Sequence, residues 1–187
     1  ELLDEAFAGD IIGIPNHGTL RLGDTLTEGE NLQFTGLPYF APETFQTVEI
    51  KDPMKSKQLR TGLQQLGEEG AIQVFRPIAG GSLLLGAVGT LQFEVVLHRL
   101  KSEYNVDARL EPSRYRLARW VTCEDATMLK KFIDANAHRI AHDVVEAPAF
   151  LATHVSELEV SAERYPKVQF HALREHAGHV FQSGMRK

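Results

Sequence analysis

Between Phe45 and Leu110 the apolar pattern changes period repeatedly, and this switching constrains the fold more than any other feature of the chain. From Phe45 to Ile50 the side chains alternate, Phe45, Thr47 and Glu49 against Gln46, Val48 and Ile50, as in a strand. Asp52-Pro53 then supplies a capping carboxylate and a proline at a first helical position. Leu59, Leu63 and Leu66 follow at spacings of four and three, the stripe of a helix that Gly67 and Gly70 end. Ala71 to Phe75 reads as a second strand, Gly80-Gly81 as a turn, and Ser82 to Val88 as a third strand. Thr90 is placed to cap a second helix, with Phe93, Val96, Leu97, Leu100 and Tyr104 on one face, and Val106 to Leu110 is a fourth strand.

The resulting order, β-α-β-β-α-β, predicts an α+β fold of the ferredoxin-like kind, an antiparallel sheet with two helices on one face. A looser version of the order follows. Tyr115 to Val121 reads as a strand, and Thr122 with Asp125 resembles a capping box. A helix then buries Met128, Leu129, Phe132 and Ile133. Arg139 to His142 and Ala149 to Thr153 are strand candidates, Val155 to Tyr165 a helix stopped by Pro166, and Val168 to Leu173 a last strand. The two units, 45–111 and 114–176, are either a pair of ferredoxin-like folds or one fold with an extended sheet. With only Pro112-Ser113 between them, they are expected to pack closely.

Ahead of this body, "GDIIGIPNHGTLRLGDTLTEG" repeats Gly-Asp at Gly9-Asp10 and Gly23-Asp24, beside Ile11, Ile12, Ile14, Leu20 and Leu22. Turn residues around β-branched and leucine runs predict short strands over 1–36. So short a stretch is too small to close a barrel or sandwich of its own. "LPYFAPE", within 37–44, reads as a linker, and 45–187 as the α/β domain.

Catalytic signatures are sparse. "GAVGTLQF" has glycines but lacks the lysine of a phosphate loop, so no nucleotide site is expected here. His138 and His142 are four apart, and His171, His176 and His179 cluster later, without nearby cysteines or an H-E-x-x-H arrangement; no metal site is expected. Cys123, the only cysteine, stands at a helix start without an evident partner and reads as structural. It also excludes an internal disulfide, and a reducing cytoplasm is the simplest setting. No apolar run reaches the roughly 20 residues that span a bilayer, and the acidic start "ELLDE" does not read as a secretory leader.

Charge is unevenly spread. The chain carries a net −5, yet residues 1–43 hold eight acidic residues against Arg21 alone, while Arg99, Lys101, Arg109, Arg114, Arg116 and Arg119 crowd 98–120. Such a strip fits either one face of a large polyanion or a plain solvated surface. In "RYRLARW", alternation sends Arg114 and Arg116 to one face with Trp120, and Tyr115, Leu117 and Val121 to the other. Exposed arginines with an aromatic neighbour suit phosphate contact and base stacking, although "SLLLGAV" lacks the central-strand aromatics of an RNA-recognition motif.

The segment "AGDIIGIPNHGTLRLGDTLTEGENLQFTGLPYFAPETF", with "GEEGAIQVFRP", "LLGAVGTLQFEVVLHRLKSEYNV" and "ERYPKVQFHALREH", resembles the carboxyl-terminal part of a bacterial translational GTPase. Within that superfamily it is most similar to the class II peptide-chain release factors, from Ala8 to about His176. Gly89 to Gln92, "GTLQ", favours that family over elongation factor G, the nearer alternative. The resemblance implies that 1–36 are the last strands of a β-barrel second domain and that the rest is the third domain. GTP and magnesium would belong to an upstream domain, with no cofactor in this part. Implied partners are the ribosome, through its RNA and proteins, and indirectly the codon-reading release factors, with neither DNA nor membrane. The implied role is docking and coupling in a GTPase that promotes recycling of those factors after peptide release. Arg76, Arg109, Arg114, Arg116 and Arg119 are the candidate ribosomal RNA contacts, chosen by local charge and not transferred from a family motif. A free-standing ferredoxin-like regulatory domain is the alternative of another class.

Overall fold

A computed structural model of the chain describes residues 4–15, 19–20, 23–32, 34 and 38–175. The strands are β1 (Pro38–Phe40), β2 (Thr44–Ile50), β3 (Gln73–Pro77), β4 (Leu84–Ala87), β5 (Ala108–Pro112), β6 (Leu117–Thr122), β7 (Ile140–His142), β8 (Pro148–Ala152), β9 (Gln169–His171) and β10 (Leu173–Glu175). The helices are α1 (Ser56–Glu68), α2 (Leu91–Tyr104), α3 (Ala126–Ala135) and α4 (Val155–Arg164). The α+β, ferredoxin-like expectation holds. The first half runs β2-α1-β3-β4-α2-β5 and the second β6-α3-β7-β8-α4-β9, the same order twice.

The question of two folds or one extended sheet has a double answer. Eight strands form one sheet in the order β5-β2-β4-β3-β7-β8-β6-β9, each half contributing four. The halves join where β3 meets β7 antiparallel, Arg76 opposite His142 and Pro77 opposite Ala141. That sheet must bend sharply. Laid flat, β5 and β6 would stand six strand spacings apart, about 29 Å. Yet only residues 113–116 connect Pro112 to Leu117, a reach of at most about 18 Å.

Burial shows where the bend closes. Leu59, Leu63 and Leu66 of α1 and Phe93, Val96 and Leu100 of α2 pack on Val48, Val74 and Leu85. Phe132 of α3 packs on Val121, Ile140 and Phe150, with Leu158 of α4 against them. The third cluster contains no helix residue: Phe45, Phe75 and Leu84 from the first half join Ala118, Trp120, Ala141, Ala149 and Leu151 from the second. This face is covered by its own folding over, with Tyr39 of β1 against it. Gly86 of β4 lets the segment between β1 and β2 lie close over it: a Cβ there would lie 2.5 Å from Pro42 Cγ. Each fully buried leucine or phenylalanine in these clusters contributes about 1.5–3 kcal/mol by leaving water.

Four local readings are corrected. Trp120 is not exposed beside Arg114 and Arg116, because β6 turns that face into the central cluster, where the indole is 1% exposed. Thr122 is not a helix cap: Asp125 caps α3, its carboxylate accepting from the amides of Thr127 and Met128 at 2.9 and 3.2 Å. Thr122 Oγ1 instead lies 2.7 Å from His171 Nε2. Thr90 makes no side-chain cap on α2; the first-turn amides of Gln92 and Phe93 donate to the carbonyls of Gly89 and Thr90, and Gln92 Oε1 accepts from the preceding amides of Val88 and Gly89. The last strand is divided into β9 on the main sheet and β10, which pairs with β1 as a separate ribbon. Residues 38–40 of the 37–44 segment are thus strand, held to the body through Ala41 N to Ala172 O at 2.8 Å.

Among the described residues of 4–34 no strand forms, and Phe7, Ile11, Ile12, Ile14, Leu26, Leu32 and Phe34 are exposed. His176 and His179 lie outside the described residues.

Candidate functional site

The five sequence-selected arginines do not converge. Arg109, on the sheet-edge strand β5, is spent on its neighbours: its Nη2 donates to Glu49 Oε2 at 2.8 Å, with Glu111 Oε1 3.5 Å from its Nε. Glu49 and Arg109 face each other in the register of β2 and β5, so the pair follows from strand pairing. Arg76, at the join of the halves, donates to both carboxylate oxygens of Glu146 at 2.6 and 2.8 Å. Both pairs are exposed, so water and salt screen them and they add little to stability.

The other three lie along the entry to β6. Arg114 donates to the Tyr115 hydroxyl at 3.0 Å, with its guanidinium carbon 5.0 Å from that ring's centroid. The hydroxyl in turn donates to the His138 carbonyl at 3.2 Å, so Tyr115 is a fixed platform for Arg114. The hydrogen bond to Tyr115 holds the Arg114 guanidinium more firmly protonated than usual. Arg116 is exposed, and its side chain has no partner among the described residues; its backbone amide is fixed to Ala152 O at 2.8 Å. Arg119 is half-buried. One of its N–H groups donates to the Ala118 carbonyl at 2.8 Å, and burial pulls its pKa below that of a free arginine. Arg116 and Arg119 line a groove of about 610 Å³ with Phe40, Pro42, Glu43 and Val88.

Two cations escaped the sequence reading. Arg60, exposed on α1, lines a cleft of about 360 Å³ with Arg76, His142 and Glu146 where the halves meet. No periodic signal marks it, because its importance depends on the β3–β7 join. Arg174 is buried, against the usual habit of arginine. Its Nε lies 3.3 Å from Asp143 Oδ2, which also accepts from Trp120 Nε1 at 2.9 Å. Asp143 Oδ1 accepts from the amides of Val145 and Ala147 at 3.0 and 2.9 Å. The Arg174 guanidinium stacks 4.3 Å over Tyr39 and 5.3 Å from the Trp120 ring. Removing either charge would strand the other in the interior, at about 3–5 kcal/mol. This network fastens the β1–β10 ribbon over the central cluster.

No group of three or more His, Cys, Asp or Glu that could hold a metal occurs among the described residues. Cys123 packs half-buried against the second helix pair's cluster. No described helix is long and apolar enough to cross a membrane. What the site can do chemically is bind: an arginine on an aromatic platform, an unpartnered arginine beside it, and an apolar groove below.

The family described as "Class II release factor RF3, C-terminal domain" matches residues 34–162. Among curated proteins the chain is similar to "Peptide chain release factor 3" of Bordetella pertussis, 70% identical over 182 residues. That match covers 97% of this chain and 34% of the relative. The protein of the same name from Nitrosomonas europaea is 68% identical over 183 residues, covering 98% of this chain and 34% of the relative. The chain thus spans about a third of the length of the curated relatives it matches.

Proposed function

This chain belongs to the class II release factor family, and from that premise we propose that it is the ribosome-docking and coupling part of a translation-termination GTPase. The observation that carries the reading is the family match across residues 34–162. It favours the release factor over elongation factor G. In the proposed role, residues 1–36 complete a preceding barrel domain, 37–44 connect it, and 45–187 dock. GTP and magnesium are held by the upstream part, and the whole acts in the cytoplasm to promote departure of codon-reading release factors. This part contributes binding and orientation rather than bond-breaking.

The docking face we assign is the entry to β6. Arg114 and Arg116 are exposed and make no ion pair among the described residues, whereas Arg76 and Arg109 are already paired with Glu146 and Glu49. An arginine without a protein counter-ion gains more from a phosphate than one that must first leave a glutamate. Arg114→Ala with Arg116→Ala in the full-length protein is expected to weaken ribosome binding and flatten its salt dependence by about two contacts' worth. Arg109→Ala is expected to change neither by much. Unchanged affinity and salt slope in the double variant would remove this face from the assignment.

A further inference from the structure

The cleft where the two halves meet is built apart from the β6 face. One wall is α1, through Arg60, Leu63 and Gln64, and the other is the turn between β7 and β8, through Val144 and Glu146. That turn is held firmly. The Glu146 amide donates to Asp143 O at 3.1 Å, and Gln64 Nε2 reaches across from α1 to Val144 O at 3.0 Å. Val144 also seats against Gly67 of α1, where a Cβ would come within 2.5 Å of Val144 Cγ1. In this turn Glu146 has a φ of 62°, the left-handed region that a glutamate seldom adopts. Such strain persists only where the surroundings impose it, and it gathers at ligand sites and switches. Here it presents a carboxylate to the cleft. Glu146 accepts from Arg76 Nη2 through both oxygens, at 2.6 and 2.8 Å, and lies 3.5 Å from His142 Nδ1.

Charge in the cleft is left unbalanced. Asp143, its other carboxylate, is engaged by Arg174 and Trp120. Glu146 therefore stands against two arginines, and Arg60 is exposed with no partner among the described residues. Between the charges the lining is aliphatic: Leu63, Val74, Ile78, Leu83 and Val144. Among the described residues that line it, the only ring with π character is the His142 imidazole.

We infer that this cleft is a docking site for an acidic peptide segment of a partner protein, and that Glu146 is its internal competitor. The carboxylate chemistry is chosen by what the cleft already binds, since Arg76 holds one carboxylate there and Arg60 is left to hold another. The aliphatic lining suits a leucine-like side chain next to the acid. Unstacked RNA bases would instead need ring faces to stack on, which this lining lacks. At about 360 Å³ the cleft is of ligand-pocket size. An incoming carboxylate pairs with Arg60 and displaces Glu146 from Arg76, and the exposed Glu146 side chain returns to water. Arg76 then serves a protein contact, although its charge alone pointed to RNA. The inference stands whether or not the β6 face binds the ribosome.

The test is fluorescence anisotropy with the full-length protein, without ribosomes, and a fluorescein-labelled Glu-Leu-Glu-Glu-Leu-Glu amide as probe. Glu146→Gln keeps the turn and removes the competing charge, so the probe is expected to bind about two- to fivefold tighter, the scale of one exposed ion pair. Arg60→Gln is expected to weaken binding about threefold or more, in wild type and in Glu146→Gln alike. Arg164→Gln, at the exposed end of α4, should leave it unchanged. A loss in Arg164→Gln as large as in Arg60→Gln overturns the inference, because attraction would then be general. No binding to any variant overturns it, as does a Glu146→Gln variant that binds no tighter than wild type. Equal binding of a probe with Gln in place of every Glu does the same. A larger gain in Glu146→Gln for oligouridylate than for the peptide also overturns it, and would give the cleft to RNA.

Discussion

Tyr39 shows how one residue binds chemistry to position. Burial pushes its hydroxyl up to about 12, with Asp143 adding to the rise and Arg174 opposing it. An unfolded tyrosine ionises near pH 10, so the folded state holds this proton more tightly. The associated stability is complete below about pH 10 and is lost as pH rises towards about 12. In urea titrations across that range, wild type is expected to lose stability more steeply than Tyr39→Phe, and parallel curves would refute the linkage. Some of this scale was legible beforehand. The charge of Arg114 and Arg116 and their exposure followed from local pattern. The burial of Trp120 did not, for a reason that alternation cannot supply: Arg116, just before β6, and Trp120 within it fall on the same side by alternation, but Arg116 is exposed while Trp120 is roofed by the other half.

Elements were more legible than their ends. All four helices and the strand order are readable from period changes, because each helix has one apolar side and each strand two faces. Caps were harder, since several polar residues near a helix start compete for the same amides. Thr122 and Asp125 make the case testable. Asp125→Ala removes the acceptor for two α3 amides and is expected to cost about 0.5–2 kcal/mol. Thr122→Ala should leave α3 intact and act only through His171, so the two variants separate by circular dichroism of the helix against chemical shifts of the imidazole. The division of the last strand into β9 and β10 was hidden for a related reason. Gln169 to Glu175 is a continuous strand-like run, and only the position of β1 decides where it leaves the main sheet.

For the whole molecule, the repeated order raises the expectation of two independent units, yet their shared interior argues for one. Phe75 of the first half and Trp120 of the second belong to the same buried cluster, so each half keeps its helix-covered cluster alone but exposes this shared one without the other. Calorimetry of residues 38–187 is therefore expected to show one transition with equal calorimetric and van't Hoff enthalpies. Phe75→Ala, at about 3–5 kcal/mol, should move that whole transition to lower temperature; two resolved transitions would show the halves to be separate. The sequence carried the repetition but not the bend, because a sheet buried on both faces looks, strand by strand, like any apolar run.

The β1–β10 ribbon has a mechanical consequence. Pro38 lies opposite Glu175, and Phe40 opposite Leu173, so the chain enters and leaves the ribbon at the same end. Tension applied across those two points loads its hydrogen bonds one after another, like the teeth of a zip, instead of all together. The ribbon therefore yields first, paying out about 20 Å of chain and lifting Tyr39 and Arg174 away from Trp120 while both helix-covered cores hold. A pull from the upstream side is met by a fuse, and the body behind it is spared.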